Sequence, residues 1–371
     1  MKRIFNMALI LVFLATGVCA QELPAKAQVY NDMQRVAKWQ IENYKPRYGD
    51  LDWTTGALFL GMVRWASIAE QSENDASFYD WLIGLGEKNH WNVKNRRYHA
   101  DDIAVAQNYL QLYHRFKRPE MIAPTRKRAD WVISHNPKDY TMDLNYRDST
   151  TLFRWTWCDA LFMAPAVYLQ LYNITGQKKY IKFMHQEYMA CYDYLYDKEE
   201  KFFYRDCNFF PEKKREANGK KIFWGRGNGW VLGGLCEILR DMPEKCKYKP
   251  FYKQLFIDMV TRVAELQQPD GFWRASMLDP DSYPSPETSC SGFFTYALAF
   301  AVNEGYLPRE TYMPVVLKAW KAMVSAIEPG GKLGYVQPIG ADPRKVTRDM
   351  TEVYGVGAFL LAGSEIYRMA Q

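Results

Sequence analysis

Six times along this chain, a short cluster of aromatic, charged and hydroxyl residues runs directly into a helix-length stretch rich in Gly, Ala, Ser and Leu. The junctions are Asp52-Trp53-Thr54-Thr55-Gly56, His99-Ala100-Asp101-Asp102, Arg154-Trp155-Thr156-Trp157-Cys158-Asp159, Trp224-Gly225-Arg226-Gly227-Asn228-Gly229-Trp230, Pro286-Glu287-Thr288-Ser289 and Asp349-Met350-Thr351-Glu352-Val353-Tyr354-Gly355. Between them lie six amphipathic segments richer in Lys, Arg and Glu, near residues 27 to 43, 75 to 89, 118 to 135, 176 to 196, 248 to 268 and 307 to 327. Small residues such as Gly61, Gly234, Gly292 and Gly357 lower helix propensity, and close approach of neighbouring helices is what compensates for them. The pattern predicts an all-α fold, an (α/α)6 barrel with six inner and six outer helices, the outer ones turning one stripe inward. Inner helices that all run the same way bring their N-terminal ends to one rim. The polar clusters then surround a single concavity, where a substrate binds.

Lys2 and Arg3, the apolar run from Ile4 to Val18, and Val18-Cys19-Ala20 read as a secretory signal over residues 1–20, cleaved before Gln21. A lipidated Cys19 is the rival; Val18 is bulky where a small residue is expected. The expected location is therefore across the inner membrane, in the periplasm, with residues 21–371 forming a single catalytic domain. No later run is long enough to span a membrane. The formal net charge of +6 includes two charges in the leader, and the other basic residues are interleaved with acids. That argues against nucleic acid as a partner. The five histidines are dispersed without metal-ligand spacing, so neither a metal nor another cofactor is expected. Cys158, Cys191, Cys207, Cys236, Cys246 and Cys290 include no Cys-x-x-Cys pair and read as mostly buried thiols.

Aromatic residues make up 16% of the chain, and Trp53, Trp155, Trp157, Trp224 and Trp230 fall at the junctions. Flat rings beside carboxylates and hydroxyls suit the C–H faces and hydroxyl edges of sugars. Asp159 is the first catalytic candidate: it stands at a helix start beside Trp155 and Trp157, where a dry setting would raise its pKa and let it donate a proton. Asp101 and Asp102 supply a second acid, Asp102 being favoured because it begins the helix proper. The glycine-rich run around Arg226 lacks dinucleotide-fingerprint spacing, and reads instead as a flexible segment that lets Arg226 grip a carboxylate between Trp224 and Trp230. Ser289 has no nearby histidine and reads as part of a helix cap, with its hydroxyl on the rim.

Through these residues the chain resembles family 105 of the glycoside hydrolases, the unsaturated rhamnogalacturonyl hydrolases, which are related to the family 88 unsaturated glucuronyl hydrolases. The specific pieces are Arg154 to Met163, Trp224 to Trp230, Asp270-Gly271-Phe272-Trp273, Glu287-Thr288-Ser289 and Tyr354 to Gly363, in order through nearly the whole chain after the leader. The resemblance implies an (α/α)6 barrel acting without cofactor on oligosaccharides with a non-reducing-end 4,5-unsaturated uronic acid, as made by lyases from pectin and similar polysaccharides. It implies that Asp159 protonates C4 of the enol ether and that water adds at C5, with Asp102 positioning water or holding ring hydroxyls. Arg226 and rim hydroxyls, Ser289 among them, would hold the uronate. Trp224 and Trp230 would wall the site, and Trp53 with Thr54 or Thr55 would contribute from the first inner helix. Where many members have a His, this chain has Arg205 in Phe202-Phe203-Tyr204-Arg205-Asp206. That substitution adds a cation and leaves the sugar preference open between galacturonyl and glucuronyl. Two other readings stand beside this one: a conventional glycosidase on saturated substrates, and a catalytically silent glycan-binding protein.

Overall fold

The computed structural model describes residues 22–371, so the proposed leader lies outside the described residues. The small-residue stretches become α2 (Trp53–Glu73), α4 (Ala106–Phe116), α6 (Ala160–Met163) with α7 (Pro165–Thr175), α9 (Gly225–Asp241), α11 (Thr288–Asn303) and α13 (Val353–Met369). Each packs on the next, and α13 closes the circle against α2. Outside them lie α1 (Lys26–Glu42), α3 (Ser77–Lys88), α5 (Ala123–Ser134), α8 (Lys178–Leu195), α10 (Lys249–Glu265) and α12 (Arg309–Ser325). The architecture is the (α/α)6 barrel.

Glycine lets the inner helices touch backbone to backbone. A Cβ on Gly61 would stand 2.4 Å from the Gly357 carbonyl oxygen, and one on Gly234 would stand 2.2 Å from that of Leu161. Neither distance is compatible with a side chain, so these residues set the ring's diameter rather than its flexibility. Three details differ from the sequence reading. Pro165, which lacks an N–H, breaks the third inner stretch after α6. The third outer helix begins at Ala123 after a short 3-10 turn, Pro119–Met121. The glycine-rich run is no flexible loop: Gly225, Gly227 and Gly229 form the first turns of α9 and are buried against Arg274, Cys158 and Phe293.

The connections are lopsided. Those entering the inner helices are long, as in residues 135–159, 196–224 and 326–352, whereas those leaving them are short, as in 74–76 and 176–177. The long segments build one rim, at the N-terminal ends of the inner helices. Tyr48, Tyr140, Tyr146 and Ile339, the large hydrophobic residues exposed among the described ones, all sit on it. A two-residue antiparallel ribbon there pairs β1 (Tyr196–Asp197) with β2 (Phe202–Phe203). Asn228 of α9 pins β2 by accepting from the Phe203 N–H (2.8 Å) and donating to its carbonyl (3.1 Å), which places Arg205 over the barrel mouth. Among the described residues no helix is long and apolar enough to cross a membrane, and the six cysteines are unpaired, five of them buried.

Candidate active site

Asp159 occupies the position before α6, yet its side chain makes no cap bond. Its carboxylate instead faces the mouth, 11% exposed, with Oδ2 3.4 Å from the Arg205 Nε. The same guanidinium donates to Asp206 Oδ2 at 2.7 Å and to the Tyr146 hydroxyl at 2.5 Å. Asp206 is fully buried and in turn accepts from the Asn208 N–H, so one arginine is fixed among two carboxylates and a phenol.

The second acid comes from the 3-10 turn Ala100–Ile103. His99 caps this turn: its Nδ1 accepts from the Asp101 N–H at 3.3 Å. The two adjacent aspartates point different ways. Asp102 is 1% exposed and saturated by Arg96, whose backbone N–H donates to Oδ2 (2.7 Å) and whose guanidinium donates to Oδ1 (2.6 and 3.1 Å). Its carboxylate is a structural clasp, which corrects the preference for Asp102 as the second acid. Asp101 is the one that shares the mouth with Asp159. Burial, and then the charge of Asp159, push its pKa up to about 7, so it keeps its proton where an ordinary carboxyl would not. His99 goes the other way, down to about 3, through burial and the neighbouring Arg96. It therefore stays neutral, with Nδ1 as acceptor and Nε2 carrying the hydrogen.

Trp53 is partly exposed; it stacks on Tyr354 at 5.4 Å and meets Trp230 edge-on at 5.8 Å. Trp157 packs against the His99 ring at 4.9 Å. Trp157 is buried, but Trp53 stays open to a substrate as expected. Several other expected contacts are not made. Arg226 is fully buried between Trp224 (4.4 Å) and Tyr354 (4.8 Å), and donates to the carbonyls of Gln337 (2.6 Å) and Pro338 (3.0 Å). It fastens the loop entering α13 and has no face for a uronate. Trp224 is buried and donates to Gln337. Trp230 lies in the barrel core with Phe162 and Phe293, and Trp155 faces Tyr168 and Phe183 on the outer side. Thr54 and Thr55 spend their hydroxyls on Asp52 and Asp50, and Ser289 donates to Glu287. All three are buried cap residues, so none offers the substrate a hydroxyl.

Sequence reasoning missed Tyr146, Asp206 and His99 as members of the site. Asp206 follows Arg205 directly and was open to inspection; Tyr146 lies in a long connection without periodicity and left no signal.

An (α/α)6 barrel with two carboxylates and a fixed guanidinium at its mouth has the parts of a glycan-cleaving enzyme that uses carboxyl groups. Comparison with known proteins specifies it. Residues 27–370 match the family model described as Glycosyl Hydrolase Family 88, and the chain belongs to that family. An "Unsaturated 3S-rhamnoglycuronyl hydrolase" of Formosa agariphila is 41% identical over 96% of this chain and 93% of its own length. A protein of the same name from an Alteromonas species is 34% identical over 90% of this chain and 84% of its own. The solved family 88 glycosyl hydrolase of Bacteroides vulgatus superposes with a TM-score of 0.83 at 27% identity, covering 93% of this chain and 99% of that one. The chain is a glycoside hydrolase, an unsaturated uronyl hydrolase.

Proposed function

We propose that the chain removes a terminal 4,5-unsaturated uronate from a 3-sulfated rhamnose, by hydration of the double bond across the Asp101–Asp159 pair. The substrate reading is carried by the shared name of the two relatives at 41% and 34% identity, and narrows a choice that the sequence left open between galacturonyl and glucuronyl ends. Asp101, its pKa raised to about 7 by burial and by the charge of Asp159, brings a proton to the pair near neutral pH. Arg205, 3.4 Å from Asp159 Oδ2, is the cation at the mouth that an arriving uronate carboxylate meets. With the uronate held there, the proton passes from Asp101 to Asp159.

Asp159 delivers that proton to C4 of the enol ether. Water adds at C5, giving its proton to Asp101, so the pair ends with the one proton it began with. The resulting hemiketal opens to a C5 ketone and a C1 hemiacetal, which expels the remaining sugar as an alcohol. Trp53, partly exposed, offers a ring face at the mouth. Export through residues 1–20 would place the enzyme in the periplasm with lyase products; a reporter fused after Ala20 and found in the cytoplasm would contradict that. The substrate assignment is tested by following ultraviolet absorbance of the conjugated uronate in separate digests of sulfated rhamnose-containing polysaccharide and of pectin. Decay in the first digest supports the reading. Decay in the pectin digest alone refutes it.

A further inference from the structure

A cavity of about 330 Å³ is lined in part by His99, the residue that caps the turn carrying Asp101. Its walls are Tyr98, Phe153 and Trp131, and Arg96 and Arg97 stand at its edge. The aromatic side is built from within: Tyr98 packs on Phe153 at 4.6 Å and on Trp131 at 5.1 Å. The two arginines differ. Arg96 is committed to Asp102, while Arg97 has no carboxylate partner among the described residues and lies over the Trp131 ring, 4.6 Å from its centre. A guanidinium held over an indole and paired with no carboxylate has N–H donors free for a ligand anion.

The cavity has room for a single sugar ring. Its neutral, aromatic wall suits a ring lacking one hydroxyl, and its free cation suits a ring bearing a strong anion. Rhamnose is a 6-deoxy sugar with a methyl group in place of a hydroxymethyl, and its 3-sulfate carries a permanent negative charge. We infer that this cavity is the subsite for the sugar that follows the unsaturated uronate, with Arg97 reading its sulfate and Tyr98 and Phe153 receiving its apolar face. The inference rests on the substrate proposed above and assigns the recognition of sulfate to one residue outside the acid pair. His99 bridges the two compartments: its ring lies 3.8 Å from Asp101 through Nδ1 and also lines the cavity. His99 is thus the side chain that the cavity and the Asp101 turn have in common.

The test compares kcat/KM of the full chain on unsaturated oligosaccharides ending in uronyl-3-sulforhamnose and on the same material after desulfation. The wild-type protein prefers the sulfated substrate, and Arg97→Ala lowers that preference about tenfold or more, chiefly through KM. Arg97→Glu, at the same exposed position, lowers it further. A preference equal to wild type in both variants, or a wild-type protein indifferent to sulfate, overturns the subsite. Failure of the wild-type protein on both substrates overturns the substrate proposal itself, and so separates the two claims.

Discussion

Replacing Asp101 by Asn removes a carboxyl that the fold keeps about half protonated at neutral pH, and the consequence for stability has a definite sign. The folded-state pKa of Asp101 is raised from 3.8 to about 7, by burial first and by Asp159 second. Well below pH 3.8 the side chain is neutral in both the folded and the unfolded chain, and its titration costs nothing. As pH rises toward 7, the unfolded chain releases the proton while the folded one keeps it, so folding becomes less favourable by about 1.4 kcal/mol per pH unit. Above the folded pKa the penalty levels off. A shift of roughly three units sets a ceiling of about 4 kcal/mol. The side chain is 17% exposed, which admits some solvent, so an observed gain of about 2 to 4 kcal/mol is expected for Asp101→Asn at about pH 8. At about pH 5 the gain shrinks to roughly 1 to 2 kcal/mol. Urea unfolding of both proteins at the two pH values reads it directly. A gain that does not grow with pH, or a loss of stability at the higher pH, refutes the claim that this carboxyl is held protonated beside Asp159.

The remaining expectations concern activity, the barrel and the buried arginine. Asp159→Asn lowers kcat by roughly 10² to 10⁴ with KM little changed, since it keeps shape and removes only proton transfer; near-normal kcat removes Asp159 from the chemistry. Arg226→Ala lowers stability by roughly 3–5 kcal/mol, through two lost charge-assisted hydrogen bonds to the Gln337 and Pro338 carbonyls. Normal stability with a raised KM would return Arg226 to the substrate. Gly61→Ala drives a methyl group into the Gly357 backbone and costs about 1–3 kcal/mol or more, read as a lower denaturation midpoint; a neutral result would mean that the ring has slack there.

The ring was legible because its cause is local in the chain. Gly61, Gly234 and Gly357 are poor helix formers that only a backbone-close neighbour explains, and polar clusters before each such run mark where the helices begin. The place of Asp159, directly before α6, was legible for the same reason. The choice between Asp101 and Asp102 was not, because a 3-10 turn turns consecutive side chains apart and the partner that captures Asp102, Arg96, lies outside the motif. Arg226 misled in the opposite direction. Glycines on both sides suggest an open loop, yet they serve close packing at the start of α9, and the arginine between them is sealed under the loop entering α13. The ribbon that carries Arg205 is two residues per strand, too short for any periodicity to register. Tyr146 reaches Arg205 only through the tertiary course of a long connection.

Hydration differs from ordinary glycoside hydrolysis in one requirement, the double bond, and the most direct measurement isolates it. The same oligosaccharide is offered with its terminal uronate unsaturated and with that ring saturated, and release of the neighbouring sugar is followed for both alongside ultraviolet absorbance. The account predicts release from the unsaturated compound only, with absorbance lost as sugar appears. Release from the saturated compound at a comparable rate would contradict it, since a carboxylate pair acting on the glycosidic oxygen has no need of the double bond.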